Sequence, residues 1–568
     1  MSRQLSKVVV GATVVLLWGC NQLPQIGNNQ AAPSLKIKLL FGSALKEFCT
    51  QAEQKISQQP IKLNDGTPIG IICDVRGTGD VVNETIALAQ QLKSGTIKAE
   101  DPRFPTLIST DGEIYLTQLD YEINRLFPGQ KYIPDVTEAP LLASSPMVLM
   151  VPENLAAPIQ KIANAPYRAL VNAKTFKDLD PAAPAQAINF VHTAPNRSNS
   201  GLQTLVAQFV EVSGKRPEQL TIADVKQYQN QVAKIQSKVT RYGISTGSLA
   251  RAMAQNGPFW ASLGSVYESS VIEANSNLQP GQTRFKAVYP KSTFSSNMRV
   301  ILPNAPWVSS AEKEAGEKVI EFLRSPEIQQ MASELGLRPG VPGTAGGRFT
   351  PELGVDSQPN YDSLRSPRPE VVDAMIKSWV EVVKKPSLVV AVIDSSGSMS
   401  GDKLPTVQAA LQNYVNSLGP KDKLALIDFD SVIRPPVLID GSPQGKNKGA
   451  EFIAGLKADG GTKLYDATLE ARNWLRQNLR PNAINAVIVL TDGEDSGSRV
   501  SLDRLSQELQ KSGFTSDERI AFFTIGFGND GEFNAAALQK IAQLNGGYYS
   551  KGDSQTIAQV MANLQTEF

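Results

Sequence analysis

The chain has 568 residues, 41% hydrophobic and 20% charged, which is the composition of ordinary globular domains and enough length for several of them. Its formal net charge of +1 gives no electrostatic case for nucleic acid as a partner. A single histidine, His192, excludes most histidine-based catalysis and most zinc chemistry, and three cysteines are too few for a disulfide-rich scaffold.

Residues 1–20 have the pattern of an export signal. Two basic residues come first, an apolar run at 8–18 follows that is too short to span a bilayer comfortably, and the segment ends at Cys20. The ending Leu-Trp-Gly-Cys resembles a bacterial lipoprotein signal, which implies a lipid on Cys20 and a membrane tether outside the cytoplasm. An uncleaved anchor and an ordinary secretory signal stay open. Residues 21–34 are polar and aperiodic, which favours a flexible tether.

Two further cysteines lie early in the exported chain. Cys49 falls on a predicted helix, and Cys73 falls near the end of a predicted strand. Because exported compartments permit disulfides, we expect a bond between them. Two buried free thiols are the alternative.

Residues 35–340 alternate strands and helices. Strands are predicted at 35–41 and 69–75, and each ends in a small polar turn that opens a helix. A similar turn at 194–201 also opens a helix. Helix N-termini at such turns present free N–H groups, which favour an anion or a polar ligand.

This order of elements resembles an extracellular solute-binding protein of the two-lobed, hinge-closing kind that includes phosphate and molybdate receptors. The likeness rests on the Gly42-Ser43 and Gly77-Thr78-Gly79 loops, the turn at 197–201, Val266-Tyr267-Glu268, and two closing stretches at 322–329 and 336–340. It implies two lobes around a small solute or anion. The ligand residues that it implies are Ser43, Thr78, Arg197, Ser198, Ser200 and Tyr267. Each of them could instead serve only in capping a helix.

Residues 341–385 are predicted to form a linker and a connecting helix. The first part is dense in Gly, Pro and Ser and has no apolar period. From Pro369 onward, apolar residues fall on one broad helical face, which favours packing against a neighbouring domain.

Residues 386–568 alternate strand and helix to the end. This pattern predicts a mostly parallel, doubly wound sheet with helices on both faces. Strands are predicted at 387–393, 423–429, 485–490 and 519–525, with an antiparallel edge at 431–438. Loops at the carboxyl ends of such strands share one crevice. The side chains expected to converge there are Asp394, Ser396, Ser398, Thr462 and Asp492.

These five side chains offer only oxygen ligands, which a hard divalent cation prefers. Asp-x-Ser-x-Ser, followed by a distant Thr and a distant Asp, resembles the metal-ion-dependent adhesion site of a von Willebrand factor A (vWA) domain. The resemblance implies Mg²⁺, or Mn²⁺ or Ca²⁺, with one position open to a carboxylate from a partner protein. Helix-capping turns are the alternative interpretation.

The leading hypothesis is a non-enzymatic, membrane-tethered extracytoplasmic binding protein with two recognition modules. The alternative is the substrate receptor of an ABC-type transporter, with the vWA domain as an accessory. A metal-activated water would make an enzyme possible in principle. The sequence shows no nearby base, such as a His or Lys on a catalytic loop, so we predict no catalytic residues.

Overall fold

The computed structural model describes residues 34–343, 346–513, 516 and 518–568. The signal segment, the lipidation candidate Cys20 and residues 21–33 lie outside this range. Within it, no helix combines the length and the apolar character needed to cross a membrane.

Residues 35–340, here called the lobed domain, form two lobes. Its elements in chain order are β1 (Leu35–Gly42), α1 (Lys46–Gln58), β2 (Ile69–Arg76), α2 (Thr78–Lys93), β3 (Leu107–Ser109), α3 (Glu113–Leu126), β4 (Leu141–Ser144), β5 (Met147–Pro152), α4 (Ala156–Lys161), α5 (Pro166–Leu170), α6 (Phe176–Leu179), β6 (Phe190–Thr193), α7 (Asn199–Ser213), α8 (Ile222–Gln236), β7 (Val239–Gly243), α9 (Thr246–Asn256), β8 (Leu263–Tyr267), α10 (Glu268–Ser276), β9 (Phe285–Val288), β10 (Ser292–Thr293), β11 (Asn297–Ile301), α11 (Ser310–Leu323), α12 (Pro326–Glu334) and β12 (Arg338–Pro339).

Each lobe is built on its own sheet. The first lobe has the strand order β12-β4-β11-β3-β1-β2, and the second has the order β7-β6-β8-β5-β9. The chain crosses between them at residues 145–146 and 294–296. These crossings are bonded to each other, since the Met147 N–H donates to the Phe294 carbonyl at 2.9 Å and the Ser145 N–H to the Ser295 carbonyl at 3.2 Å. Two adjacent crossings form a natural hinge.

A disulfide joins Cys49 on α1 to Cys73 on β2, with the two Cα atoms 6.0 Å apart. Cys49 is fully buried under the sheet of the first lobe. The bond therefore fixes a helix to β2, which is the edge strand of that sheet.

The segment after the lobed domain is more ordered than its composition predicts. It contains β13 (Asp362–Ser363), α13 (Pro369–Ser378) and a π-helical turn (Trp379–Val383). β13 pairs in parallel with β10, directly before the second crossing of the hinge. The apolar face of α13 is buried against α8 of the second lobe, in agreement with the predicted packing.

Residues 386–568, here called the C-terminal domain, form a single sheet with helices on both faces. Its elements are β14 (Ser387–Asp394), α14 (Lys403–Asn416), β15 (Lys423–Phe429), β16 (Val437–Asp440), α15 (Pro443–Gly455), α16 (Leu464–Gln477), β17 (Ile484–Thr491), α17 (Leu502–Gln510), β18 (Ala521–Phe527), α18 (Ala535–Gln543), β19 (Tyr549–Gly552) and α19 (Ile557–Thr566). The strand order is β16-β15-β14-β17-β18-β19, and β16 is the antiparallel edge.

Two boundaries in this domain differ from the sequence prediction. The edge strand begins at Val437, not at residue 431, because Pro435 and Pro436 have no N–H to donate to a neighbouring strand. Helix α15, for which the sequence predicts a start at residue 449, begins six residues earlier at Pro443, because the Ser442 hydroxyl accepts the Gly445 N–H and caps it.

Candidate functional site

The carboxyl ends of β14 and β17 meet at one edge of the C-terminal sheet, because these strands are parallel neighbours. Asp394 is the last residue of β14 and is fully buried. Thr491 ends β17, and Asp492 follows it in a buried position. This edge therefore brings together the first and the last carboxylate of the predicted metal motif.

Asp394 is held by neutral hydrogen-bond donors. Its Oδ1 accepts the Ser396 backbone N–H at 2.8 Å, and its Oδ2 accepts the Thr491 hydroxyl. Burial raises the pKa of the Asp394 carboxyl above its usual value, because a charged carboxylate is poorly solvated there. A nearby divalent cation would favour the charged form.

Two serine hydroxyls connect this turn to Asp492. Ser396 Oγ lies 3.0 Å from Ser398 Oγ, and the Ser398 hydroxyl donates to Asp492 Oδ1 at 2.6 Å. Between the serines, the Gly397 N–H donates to the Gly460 carbonyl at 3.0 Å. That bond ties the serine turn to the loop that carries Thr462.

Thr462 approaches from this third loop. Its N–H donates to Ser496 Oγ at 3.1 Å, and the Ser496 N–H donates to the Thr462 carbonyl at 2.9 Å. A Cβ added to Gly493 would lie 3.5 Å from both Ser398 Oγ and Thr462 Oγ1. The two hydroxyls therefore flank the same glycine, and its missing side chain leaves this space clear.

Lys403, at the start of α14, already places a positive charge at the site. Its Nζ lies 2.7 Å from Asp492 Oδ2 and 2.9 Å from Glu532 Oε2. Partial burial acts to lower the pKa of Lys403, but the hydrogen bonds to the two carboxylates outweigh it and raise this pKa. Lys403 was not predicted as a site residue; the signal available in the sequence was a basic residue in the first turn of the helix after the serine turn.

The donor set fits a hard divalent cation. Two carboxylates and three hydroxyls converge from three loops, and a lysine ammonium rests on one of those carboxylates. In the described part of the chain, no group of three or more His, Cys, Asp or Glu side chains is placed to hold a metal ion, and this sheet edge supplies only two carboxylates. The five-residue set differs in kind, because three of its five side chains are hydroxyls and only two are carboxylates.

Five of the six predicted solute ligands gather between the lobes. They occupy the turns after β1 and β2 in the first lobe, and the start of α7 and the end of β8 in the second. These residues are Ser43, Thr78, Ser198, Ser200 and Tyr267. All but Ser43 are buried.

Asp111 and Asn199, which the sequence analysis did not select, link the two lobes. The Thr78 hydroxyl accepts the Asp111 N–H at 3.4 Å, and Asp111 Oδ2 lies 3.5 Å from Ser43 Oγ. Asn199 Nδ2 donates to the Asp111 carbonyl at 2.9 Å and to Tyr267 Oη at 3.0 Å. Burial raises the pKa of the Asp111 carboxyl to about 6. The cleft is thus closed by a buried polar network.

A cavity of about 510 Å³ opens beside this network. Ser43, Thr246 and Tyr267 line its inner part, and the Arg251–Glu273 ion pair lies on its wall at 2.6 Å. The cavity gives a small solute access to two of the five gathered residues without displacement of the lobes.

Arg197 lies apart from the network. Its guanidinium donates to Asp80 Oδ2 at 3.0 Å, and to Asn563 Oδ1 and Thr566 Oγ1 at 3.2 Å each. These contacts direct the guanidinium to the first lobe and to the last helix of the C-terminal domain, so the structure does not bring Arg197 together with the other five predicted ligands.

A family model described as bacterial extracellular solute-binding protein matches residues 62–352, just over half of the chain. The chain belongs to the bacterial extracellular solute-binding proteins. A second model, the von Willebrand factor type A domain, matches residues 389–563, so this solute-binding protein carries a vWA domain after its lobes. The predicted fold class is confirmed. Both domains are binding or adhesion types, and the first indicates an extracytoplasmic location.

Individual proteins match parts of this solute-binding protein. The human inter-alpha-trypsin inhibitor heavy chain H4 is 34% identical over 169 residues, which cover 28% of the chain and 18% of that relative. The human heavy chain H2 is 25% identical over 184 residues, 31% of the chain and 19% of that relative. The chain thus spans less than a fifth of the length of these curated relatives.

Two solved structures are also similar. The sulfate-binding protein SubI from Mycobacterium tuberculosis is 14% identical, with a TM-score of 0.37, and covers 61% of this chain and 96% of its own. A von Willebrand factor type A protein from Catenulispora acidiphila is 22% identical, with a TM-score of 0.28, and covers 32% of this chain and 43% of its own.

Proposed function

We propose that this chain is a non-enzymatic, extracytoplasmic binding protein whose vWA domain recognises a protein partner through a divalent cation. The observation that carries the proposal is the convergence of five oxygen-bearing side chains at one sheet edge. They are Asp394, Ser396, Ser398, Thr462 and Asp492. The membrane tether in this proposal is a lipid on Cys20, as its signal-like segment predicts.

The hydroxyls of Ser396, Ser398 and Thr462 would hold the ion, and the two carboxylates would supply the negative charge. Bound Mg²⁺, or Mn²⁺ or Ca²⁺ in its place, supplies an electrophilic centre with a position open to a carboxylate. Gly493 adds no side chain between the Ser398 and Thr462 hydroxyls, so the space between them would stay open to an ion.

Calorimetric titration of the full chain with Mg²⁺ tests this proposal. Asp394→Asn keeps the shape of the side chain and still accepts the Ser396 N–H, but it removes one charge. We expect one Mg²⁺ site in the unsubstituted chain and at least about a tenfold loss of affinity in the variant, since charged ligands dominate binding of hard cations. Asp503→Asn is the matched control, because that exposed carboxylate lies on α17 and pairs with Lys540. Equal Mg²⁺ affinity in the Asp394 variant would mean that these loops only cap helices.

The alternative function is the substrate receptor of an ABC-type transporter. The observation in its favour is the lobed domain, with two hinge crossings and a closed polar cleft. Extraction of small molecules from the denatured native protein, followed by mass spectrometry, distinguishes the two functions. A stoichiometric solute favours the receptor, and an empty cleft favours protein recognition.

A further inference from the structure

Arg197 bonds both to the first lobe and to the C-terminal domain. It belongs to the second lobe, in the turn before α7. Its Nη2 donates to Asp80 of the first lobe at 3.0 Å, and its carbonyl accepts the Gly79 N–H of the same lobe at 2.9 Å. Its Nη1 donates to Asn563 and Thr566 on α19, at 3.2 Å each.

The backbones of the two lobes are in direct contact here. A Cβ added to Gly79 would lie 2.9 Å from Arg197 Cα, so a glycine is required for this approach. The Gly79–Arg197 hydrogen bond therefore exists only while the cleft is closed.

The C-terminal domain is docked firmly on the second lobe. The Tyr242 N–H of edge strand β7 donates to the Glu567 carbonyl at 3.2 Å, and Trp260 Nε1 donates to the Gly546 carbonyl at 3.2 Å. Arg241 and Glu567 form a buried ion pair at 3.4 Å. Helix α19 must consequently move together with the second lobe when the lobes separate.

We propose that the vWA domain holds the solute cleft closed through Arg197. Contacts with Asn563 and Thr566 fix one arm of the guanidinium, and the planar fork then directs its other arm at Asp80. Without α19, the long side chain would regain rotamer freedom and bind the first lobe less often. This deepens the proposed function, because it names the vWA domain as the regulator of the cleft. By thermodynamic linkage, solute binding in the cleft and events at α19 then influence each other equally.

Hydrogen exchange of the full chain, read by mass spectrometry on the peptide that contains Gly79, tests the proposal without solute or metal. The variant is Asn563→Ala with Thr566→Ala, which changes only the vWA side. We expect exchange of this peptide to become about fivefold faster, as for the loss of a hydrogen bond worth about 1 kcal/mol. Gln555→Ala, exposed near the start of the same helix, is the matched control and should exchange like the unsubstituted chain.

Arg197→Gln should accelerate exchange at least as much, because it removes both arms of the contact. If the α19 variant exchanges like the unsubstituted chain, Arg197 holds the lobes through Asp80 alone and the proposal is overturned. Unchanged exchange in Arg197→Gln would overturn it too. Because Mg²⁺ is absent from these measurements, failure here is independent of failure of the metal titration.

Discussion

At the residue scale, the candidate metal centre is a problem of charge balance. Asp394 and Asp492 face the same small space, and the Lys403 ammonium neutralises only the second of them. Asp394 depends on uncharged donors, and its raised pKa reflects that weak compensation. A cation with two charges would satisfy both carboxylates, but it would also meet repulsion from Lys403.

We therefore predict that Lys403→Gln strengthens Mg²⁺ binding by about fivefold, because removal of one positive charge a few ångströms from the ion is worth on the order of 1 kcal/mol. Calorimetric titration measures the change. Lys540→Gln, which removes the same charge from an exposed surface pair with Asp503, should leave the affinity unchanged. Weaker binding in Lys403→Gln would instead assign this lysine to the positioning of Asp492.

Residues of the metal centre that are close together in the sequence could be predicted, whereas residues that are close only in the folded chain could not. Ser396 and Ser398 follow their strand within four positions of Asp394, so the spacing alone places them in one turn. Lys403 and Thr491 bond to carboxylates from another part of the chain, and that proximity depends on how α14 and β17 pack. The turn that carries Arg197 could be predicted, but the direction of its side chain could not, because that direction depends on contacts with a distant helix.

At the element scale, the first lobe depends on a covalent bond at its exposed edge. The bond between Cys49 and Cys73 closes a sequence separation of 24 residues and joins α1 to edge strand β2. Edge strands have only one neighbour, so they are the first strands of a sheet to open. The disulfide limits that opening.

We predict that Cys49→Ala with Cys73→Ser lowers the free energy of unfolding of the lobed domain by about 3 kcal/mol, the value expected for a loop of this length. Chemical denaturation followed by circular dichroism gives this difference. The unsubstituted protein under reducing conditions should show the same loss. Equal stability of the oxidised and the reduced protein would mean that apolar packing of α1 alone secures this edge.

Most elements could be predicted from apolar periodicity, since β14 and β17 are continuous apolar runs and α13 has one apolar face. β13 could not. It spans two residues, too few for any alternation, and it forms only because β10 offers a free edge beside the hinge. The composition of the segment after the lobed domain is typical of a flexible linker. Its strand β13 is nevertheless ordered, because it pairs with β10, about 70 positions earlier in the chain.

At the scale of the whole molecule, the lobed and the C-terminal domain share a buried interface. Arg241 of β7 pairs with Glu567 at 3.4 Å and stacks over Phe523, with its guanidinium carbon 4.6 Å from the ring centroid. Phe568 packs edge-on against the same ring, with centroids 5.1 Å apart. The second lobe and the vWA domain therefore form one continuous body, and opening of the cleft would move the first lobe against it.

We predict that Glu567→Ala destabilises this interface by about 3 kcal/mol at pH 8, because it leaves the Arg241 charge buried without its carboxylate. Differential scanning calorimetry should then resolve separate transitions for the two domains. Adding Arg241→Met to the Glu567→Ala variant removes the unpaired charge and should restore at least half of the lost stability. An unchanged thermogram in Glu567→Ala would show that the aromatic contacts alone hold the domains together.

The contacts of the connecting helix α13 determine where a recombinant fragment of the lobed domain should end. Its buried residues Val371, Val372 and Met375 cover α8, and Asp373 accepts a hydrogen bond from Gln118 of the first lobe at 2.7 Å. A fragment that ends at residue 340 would expose to solvent the surface of α8 that α13 covers. Such an exposed apolar surface favours aggregation. The smallest expression fragment of the lobed domain with a complete surface there therefore extends to Val383.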